Sequence, residues 1–74
     1  MIMNQAWTAD ITNDPDRDFD LCIEIYQGDT HRGTILRDAS GALVMTVYPS
    51  PQAFQMPAQW LAEVLQSAAG ELAT

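Results

Sequence analysis

The chain is predicted to fold as one α+β domain, a four-stranded antiparallel β-meander with a C-terminal amphipathic helix packed on one face (ββββα). Three observations predict it. Four segments read as strands, of which Trp7 to Thr12 alternates apolar and polar residues at the period of two that marks a half-buried strand, and Phe19 to Tyr26 sets Leu21, Ile23 and Ile25 on one face. Two Gly-containing loops separate them at hairpin lengths. After a proline-punctuated stretch, the apolar residues recur instead at helical spacing. Seventy-four residues make one domain, 1–74, with no linker, internal repeat or low-complexity tract to divide it.

The first strand is Trp7, Ala9 and Ile11 alternating with Thr8, Asp10 and Thr12. Asn13 to Asp18 then reads as a turn, because Asn, Asp and Pro15 compete with a ladder. Phe19 to Tyr26 is the second strand, with Leu21, Ile23 and Ile25 on one face and Cys22, Glu24 and Tyr26 on the other. Gly28-Asp29 suits a two-residue primed turn, and Asp38 to Ala42 suits a three-residue loop closed by Gly41 in the left-handed region. Those turns place Tyr26 opposite His31, Leu21 opposite Leu36, Leu36 opposite Val44 and Ile35 opposite Met45. The last strand is apolar on both sides through Leu43, Met45 and Val47 against Val44 and Tyr48. Pro49 and Pro51 end the sheet, with Ser50 placed to cap a short turn. Pro57 fits the first helical position. Trp60, Leu61, Val64, Leu65, Ala68 and Leu72 then share one arc, with Gln59, Glu63, Gln66 and Ser67 opposite and Gly70 as the expected stop.

Composition excludes several function classes. Ten acids against three bases, all Arg, give a net charge of −7. A protein that neutralises phosphates needs a basic stripe, and docking on an anionic membrane needs the same. No apolar run approaches the length of a membrane span, and the first residues have no signal-peptide pattern. One Cys and one His cannot close a structural zinc site, and a lone Cys22 cannot form an internal disulfide. The expectation is a cytoplasmic protein. A domain this small without a staple gains from association. The two-sided apolar last strand is a second reason to expect a partner, either a homodimer or another protein.

No catalytic, cofactor or metal motif is present, and the expectation is a non-enzymatic chain without cofactor. His31 has only Asp29 and Thr30 beside it at a hairpin end, which supports stacking on Tyr26 and not catalysis. Acids on both sides of Cys22 disfavour a reactive thiolate. The distinctive feature is charge. Residues 10–29 hold seven acids against Arg17, a net of −6. An EF-hand loop begun at Asp14 would place Phe19 where the turn needs Gly, and Ile25 where the bidentate Glu belongs. In an extended stretch, carboxylates two apart stand about 6.5–7 Å from each other on one side, against about 3.4 Å of axis per phosphate on each strand of duplex DNA, a regular run of negative charge of the kind a groove for nucleic acid receives. The candidate partner-binding residues are therefore Asp14, Asp16, Asp18, Asp20, Glu24, Tyr26 and Asp29, with Tyr26 and Tyr48 as aromatic anchors. The expected function is an acidic protein-binding module, a small inhibitor of the anti-defence or immunity type, covering the basic nucleic-acid-handling surface of a partner protein. The alternatives are a structural homodimer or accessory subunit, and a weak calcium or small-ligand binder using Asp14 to Asp20.

Overall fold

The computed structural model describes residues 2–4, 6–17 and 20–72. One antiparallel sheet runs in chain order through β1 (Ile2–Asn4), β2 (Trp7–Asp14), β3 (Asp20–Gln27), β4 (Thr30–Arg37) and β5 (Leu43–Val47). One helix, α1 (Ala58–Glu71), packs on it. The expected meander and helix are β2 to β5 and α1. The sheet extends by one further strand, since β1 pairs with β2 as Ile2↔Ala9, Met3↔Thr8 and Asn4↔Trp7. Three residues are too few to display a period.

The core is the stripe where α1 crosses the sheet. Trp7, Ala9, Ile23, Ile25 and Ile35 meet Trp60, Val64, Ala68 and Leu72, and all are buried. The helical members are four apart and stack along one side of α1. That stripe is narrower than the apolar arc predicts: Leu61 is half-buried and Leu65 exposed. The aromatic side chains interlock, with Trp7 centred 5.9 Å from both Phe54 and Trp60 at tilted angles. Among the described residues, Trp60 Nε1 is buried without a hydrogen-bond partner.

α1 crosses diagonally. Pro57 lies beside Trp7 and Gln27 around a shallow depression at one end of the sheet, and the other end of α1 reaches Arg37. The crossing leaves Ile11 and Leu21 42% and 44% exposed at one corner. The helix ends differ from expectation. Pro57 is the N-cap and not the first helical residue, and the helix passes through Gly70 to a cap at Leu72. The stop comes from the sheet: Arg37 donates from Nε to the Leu72 carbonyl (2.7 Å) and from Nη2 to that of Ala69 (3.1 Å). These are carbonyls an α-helix leaves unpaired at its C-terminus, where positive charge also complements the helix dipole. Arg37 Nη1 donates to the Gly41 carbonyl at 2.7 Å and ties the β4–β5 loop to the same point.

The hairpins follow the expected turn chemistry. Gly28 takes φ 59° between Gln27 and its ladder partner Thr30, and Gly41 takes φ 86°. Asp38 Oδ1 accepts bonds from Ser40 N, Ser40 Oγ and Ala42 N, which close the loop locally. Two expectations about the connections are corrected. The β2–β3 ladder continues through Asn13↔Leu21 and Asp14↔Asp20, so the connection starts only after Asp14, and its described part is a 3₁₀ turn at Pro15–Arg17. Ser50 does not cap a turn through an accepted bond; its hydroxyl donates to the Gln52 carbonyl.

Register brings the main correction. Tyr26↔His31 and Gln27↔Thr30 pair as expected, but the partners of Ile25, Glu24 and Ile23 are Gly33, Thr34 and Ile35. Arg32 is thus an extra residue in β4, a bulge, and Leu21 does not face Leu36. Leu36↔Val44 and Ile35↔Met45 pair as expected. The bulge puts Ile35 in the core and Leu36 on the other face. It also brings β4 close to β5 at Gly33, where a Cβ would stand 2.6 Å from the Thr46 backbone oxygen.

Candidate protein-binding face of the sheet

The face of the sheet away from α1 is built by the alternate register positions. On β2 these are Thr8, Asp10, Thr12 and Asp14, and across the ladder on β3 stand Tyr26, Glu24, Cys22 and Asp20. β4 contributes His31, Thr34 and Leu36, and β5 contributes Val44 and Thr46, followed by Tyr48. His31 and Thr34 are three apart and would lie on opposite faces of a regular strand. They share this face because the bulge at Arg32 intervenes. Their contact confirms it, with Thr34 Oγ1 3.3 Å from His31 Nε2.

Around His31 the side chains form one cluster. Tyr26 stacks on the imidazole at 4.7 Å between centroids, as the hairpin predicts, and Tyr48 meets it edge-on at 4.9 Å. Thr34 Oγ1 and Tyr48 Oη lie 2.8 Å apart. Tyr26 Oη donates to Glu24 Oε2 at 2.9 Å. That bond, then desolvation, then the charges of Glu24 and Asp10 and the nearby Tyr48, hold the Tyr26 phenol above its ordinary 10.0. Two rings and an imidazole are thereby fixed beside a carboxylate, in half-exposed positions.

The acids are arranged differently from the comb read along the chain. Asp14 lies in β2, Asp16 in the 3₁₀ turn and Asp20 in β3, so the segment folds back on itself instead of extending. Asp18 lies outside the described residues, as does Phe19. Asp16 N donates to Asp14 Oδ1 at 3.0 Å, which makes Asp14 a turn-former as well as a surface charge. Pairing across strands replaces spacing along them: Asp10 is opposite Glu24, and Asp14 is opposite Asp20. Directly opposed residues in an antiparallel pair are about 4.5–5.5 Å apart at Cα. The two like-charge pairs are separated along the strands by about 13 Å. Asp29 is not part of this group; it sits at the β3–β4 tip, at the far end of the sheet from Asp14 and Asp20.

Reading along the chain misses Asp10 as a site residue, and it misses Thr34. Asp10 is legible only once β2 and β3 are paired, and Thr34 only once the bulge is known. Two arginines are committed to the opposite face. The Arg32 guanidinium lies 4.5 Å from the centre of the Phe54 ring and Nε donates to Gln27 Oε1 at 3.1 Å. Arg37 holds the end of α1. Among the described residues, no three His, Cys, Asp or Glu converge to hold a metal ion, and no helix is long and apolar enough to cross a membrane. The depression near Pro57, lined by Ala6, Trp7, Gln27, Gln55, Met56 and Pro57, contains no ionisable side chain and is separate from this surface.

No protein-family model matches the chain, and no curated protein or solved structure matches it.

Proposed function

We propose that the chain is a non-enzymatic, cytoplasmic protein-binding module whose open sheet face docks on a basic surface of a partner protein. The concrete form of this reading is a small inhibitor, of anti-defence or immunity type, that covers a surface its partner uses to handle nucleic acid. The observation that carries it is the Asp10–Glu24 pair beside the Tyr26–His31–Tyr48 cluster. Like charges directly opposite on one sheet face destabilise the fold, and a basic partner relieves that repulsion on binding. The half-exposed rings supply what charges alone lack. Tyr is enriched at the centres of interfaces, whereas rim charges contribute mainly to encounter rate. Asp14, Asp16 and Asp20 extend the negative field towards one end of the face, and Asp29 towards the other, which steers a cationic surface.

The test is capture on the immobilised full chain at low salt, with elution by a salt gradient and separately by duplex nucleic acid. A basic protein displaced by both is expected. Replacing Asp10 by Asn, Glu24 by Gln and Tyr26 by Ala together is expected to weaken that partner at least tenfold, about 1.4 kcal/mol. The loss should shrink as ionic strength rises. Equal binding by wild type and the triple variant at low salt removes this face as the interface.

A further inference from the structure

We propose that β5 is a homodimerisation edge, pairing antiparallel with β5 of a second copy around Met45 to form one continuous sheet. This stands independently of the reading of the open face. The direction of the backbone groups comes first. Asp38 N donates to the Ala42 carbonyl and Tyr48 N to the Arg32 carbonyl. Backbone direction alternates along a strand, so Val44 and Thr46, like Ala42 and Tyr48, turn their N–H and C=O groups towards β4. Leu43, Met45 and Val47 turn theirs outward, on the side of β5 that, among the described residues, no other strand occupies. Centred on Met45, two copies set Leu43 opposite Val47, Met45 opposite Met45 and Val47 opposite Leu43. All three are hydrogen-bonded pairs, on the order of six bonds in total.

Charge selects a second copy as the occupant. A soluble sheet commonly protects a free edge with charged side chains, an internal proline, a bulge or a very short strand. β5 has none of these, and β1, at the other edge, is only three residues long. In a chain of net −7, no residue between Asp38 and Glu63 is charged. β5 is therefore where two acidic copies meet without setting carboxylates against carboxylates. Counting strands at about 4.8 Å each, the two copies of Glu24 stand at least about 24 Å apart, well beyond the roughly 8–10 Å over which salt leaves charges coupled.

Side chains agree on both faces. Val47, 54% exposed, is covered on the helix side by Leu43 of the second copy. Val44, 38% exposed, meets Thr46 of the second copy on the open side. Because pairing is within the sheet, both helices lie on one side and both acidic faces on the other. One dimer thus presents a doubled acidic surface.

Sedimentation of the full chain from micromolar to millimolar concentration, with amide hydrogen exchange read residue by residue, tests this. A monomer–dimer equilibrium is expected, in which the Leu43, Met45 and Val47 amides gain at least tenfold protection at high concentration. Val44 and Thr46 should be protected throughout. Val47→Glu, at an exposed position, should keep the monomer's circular dichroism and weaken dimerisation at least tenfold. A monomer at millimolar concentration overturns the proposal, and so does a dimer in which the three outward amides still exchange freely.

Discussion

On the face under α1, Trp7, Ala9, Ile23, Ile25 and Ile35 are all buried against the helix, and the sheet's contribution there is shape and apolar area. On the opposite face the same strands present Asp10, Glu24, Tyr26, His31 and Thr34, none of them fully buried, with Cys22 the buried residue among them. One set of strands therefore carries two kinds of surface, and the difference separates what holds the fold from what the fold displays. Near 25 cal/mol per Å² of apolar burial, the helix face supplies most of the stability. The like-charge pairs on the open face subtract from it. The contrast teaches that substitutions on the two faces should change stability in opposite directions.

The largest effect is expected at Trp60. Its side chain is among the largest fully buried ones and bridges α1 to Trp7. Trp60→Ala should cost about 3–5 kcal/mol, against a total of about 4–11 kcal/mol for a domain of this length. Urea titration followed by circular dichroism would show the unfolding midpoint moved to much lower urea, with a chain already unfolded in buffer at 25 °C if the wild-type total lies at the low end of that range. Trp60→Phe should cost clearly less, because it keeps a ring in the site and removes an N–H that is buried without a partner. Cooperative folding of Trp60→Ala at near wild-type stability would mean that the helix is not the main cover of the core.

A smaller loss is expected at Arg37, which joins the two layers through three carbonyls. Arg37→Ala should cost about 1–3 kcal/mol through unpaired helix-terminal and loop carbonyls. Amides in the last turn of α1 should exchange faster in Arg37→Ala than in wild type, while those at the middle of the helix change less. Arg37→Lys should recover only part of the loss, since an ammonium group cannot reproduce the planar fork. Equal exchange in the last turn of wild type and Arg37→Ala would assign the helix stop to another group.

How far each face was legible in the sequence follows from the range of the interactions that make it. Strands, turns and the helix are set by neighbours within a few positions, and Trp7, Ile23, Ile25, Trp60, Val64 and Ala68 show their burial in periodicity. Gly28 and Gly41 announce their turns through the positive φ each adopts. The bulge at Arg32 has no local signature, and it alone moves Leu36 out of the core and brings His31 and Thr34 together. Gly70 illustrates the same limit: a local rule makes it a stop, and a guanidinium 33 positions earlier in the chain, at Arg37, holds the end beyond it. For the acids, the composition of the window was legible but its geometry was not. Their partners lie across a hairpin, so Asp10 belongs with Glu24, and Asp29, close in sequence, does not.

The smallest expected effects are on the open face, and their sign is what matters. Asp10→Asn removes one member of the Asp10–Glu24 pair while keeping its shape, and should stabilise the fold by about 0.2–1 kcal/mol. Glu24→Gln should stabilise less, because the Glu24 carboxylate also accepts the Tyr26 hydroxyl and a charged acceptor makes the stronger bond. The Tyr26 phenol reports the same balance. Its ionisation lies above 10.0 in the folded chain, chiefly because of the bond to Glu24. A raised pKa means that the folded state holds the proton more tightly, so this contribution is complete below about pH 10 and is lost as pH rises through the raised value. In a Tyr48→Phe background Tyr26 is the chain's single tyrosine, and its ionisation can be followed by tyrosinate absorbance. Glu24→Gln should move that titration back towards 10.0 by more than Asp10→Asn does, since Asp10 acts only through its charge. If both substitutions destabilise the fold, or if neither moves the titration, the carboxylates are not opposed in the folded chain, and the contrast between the two faces fails on its open side.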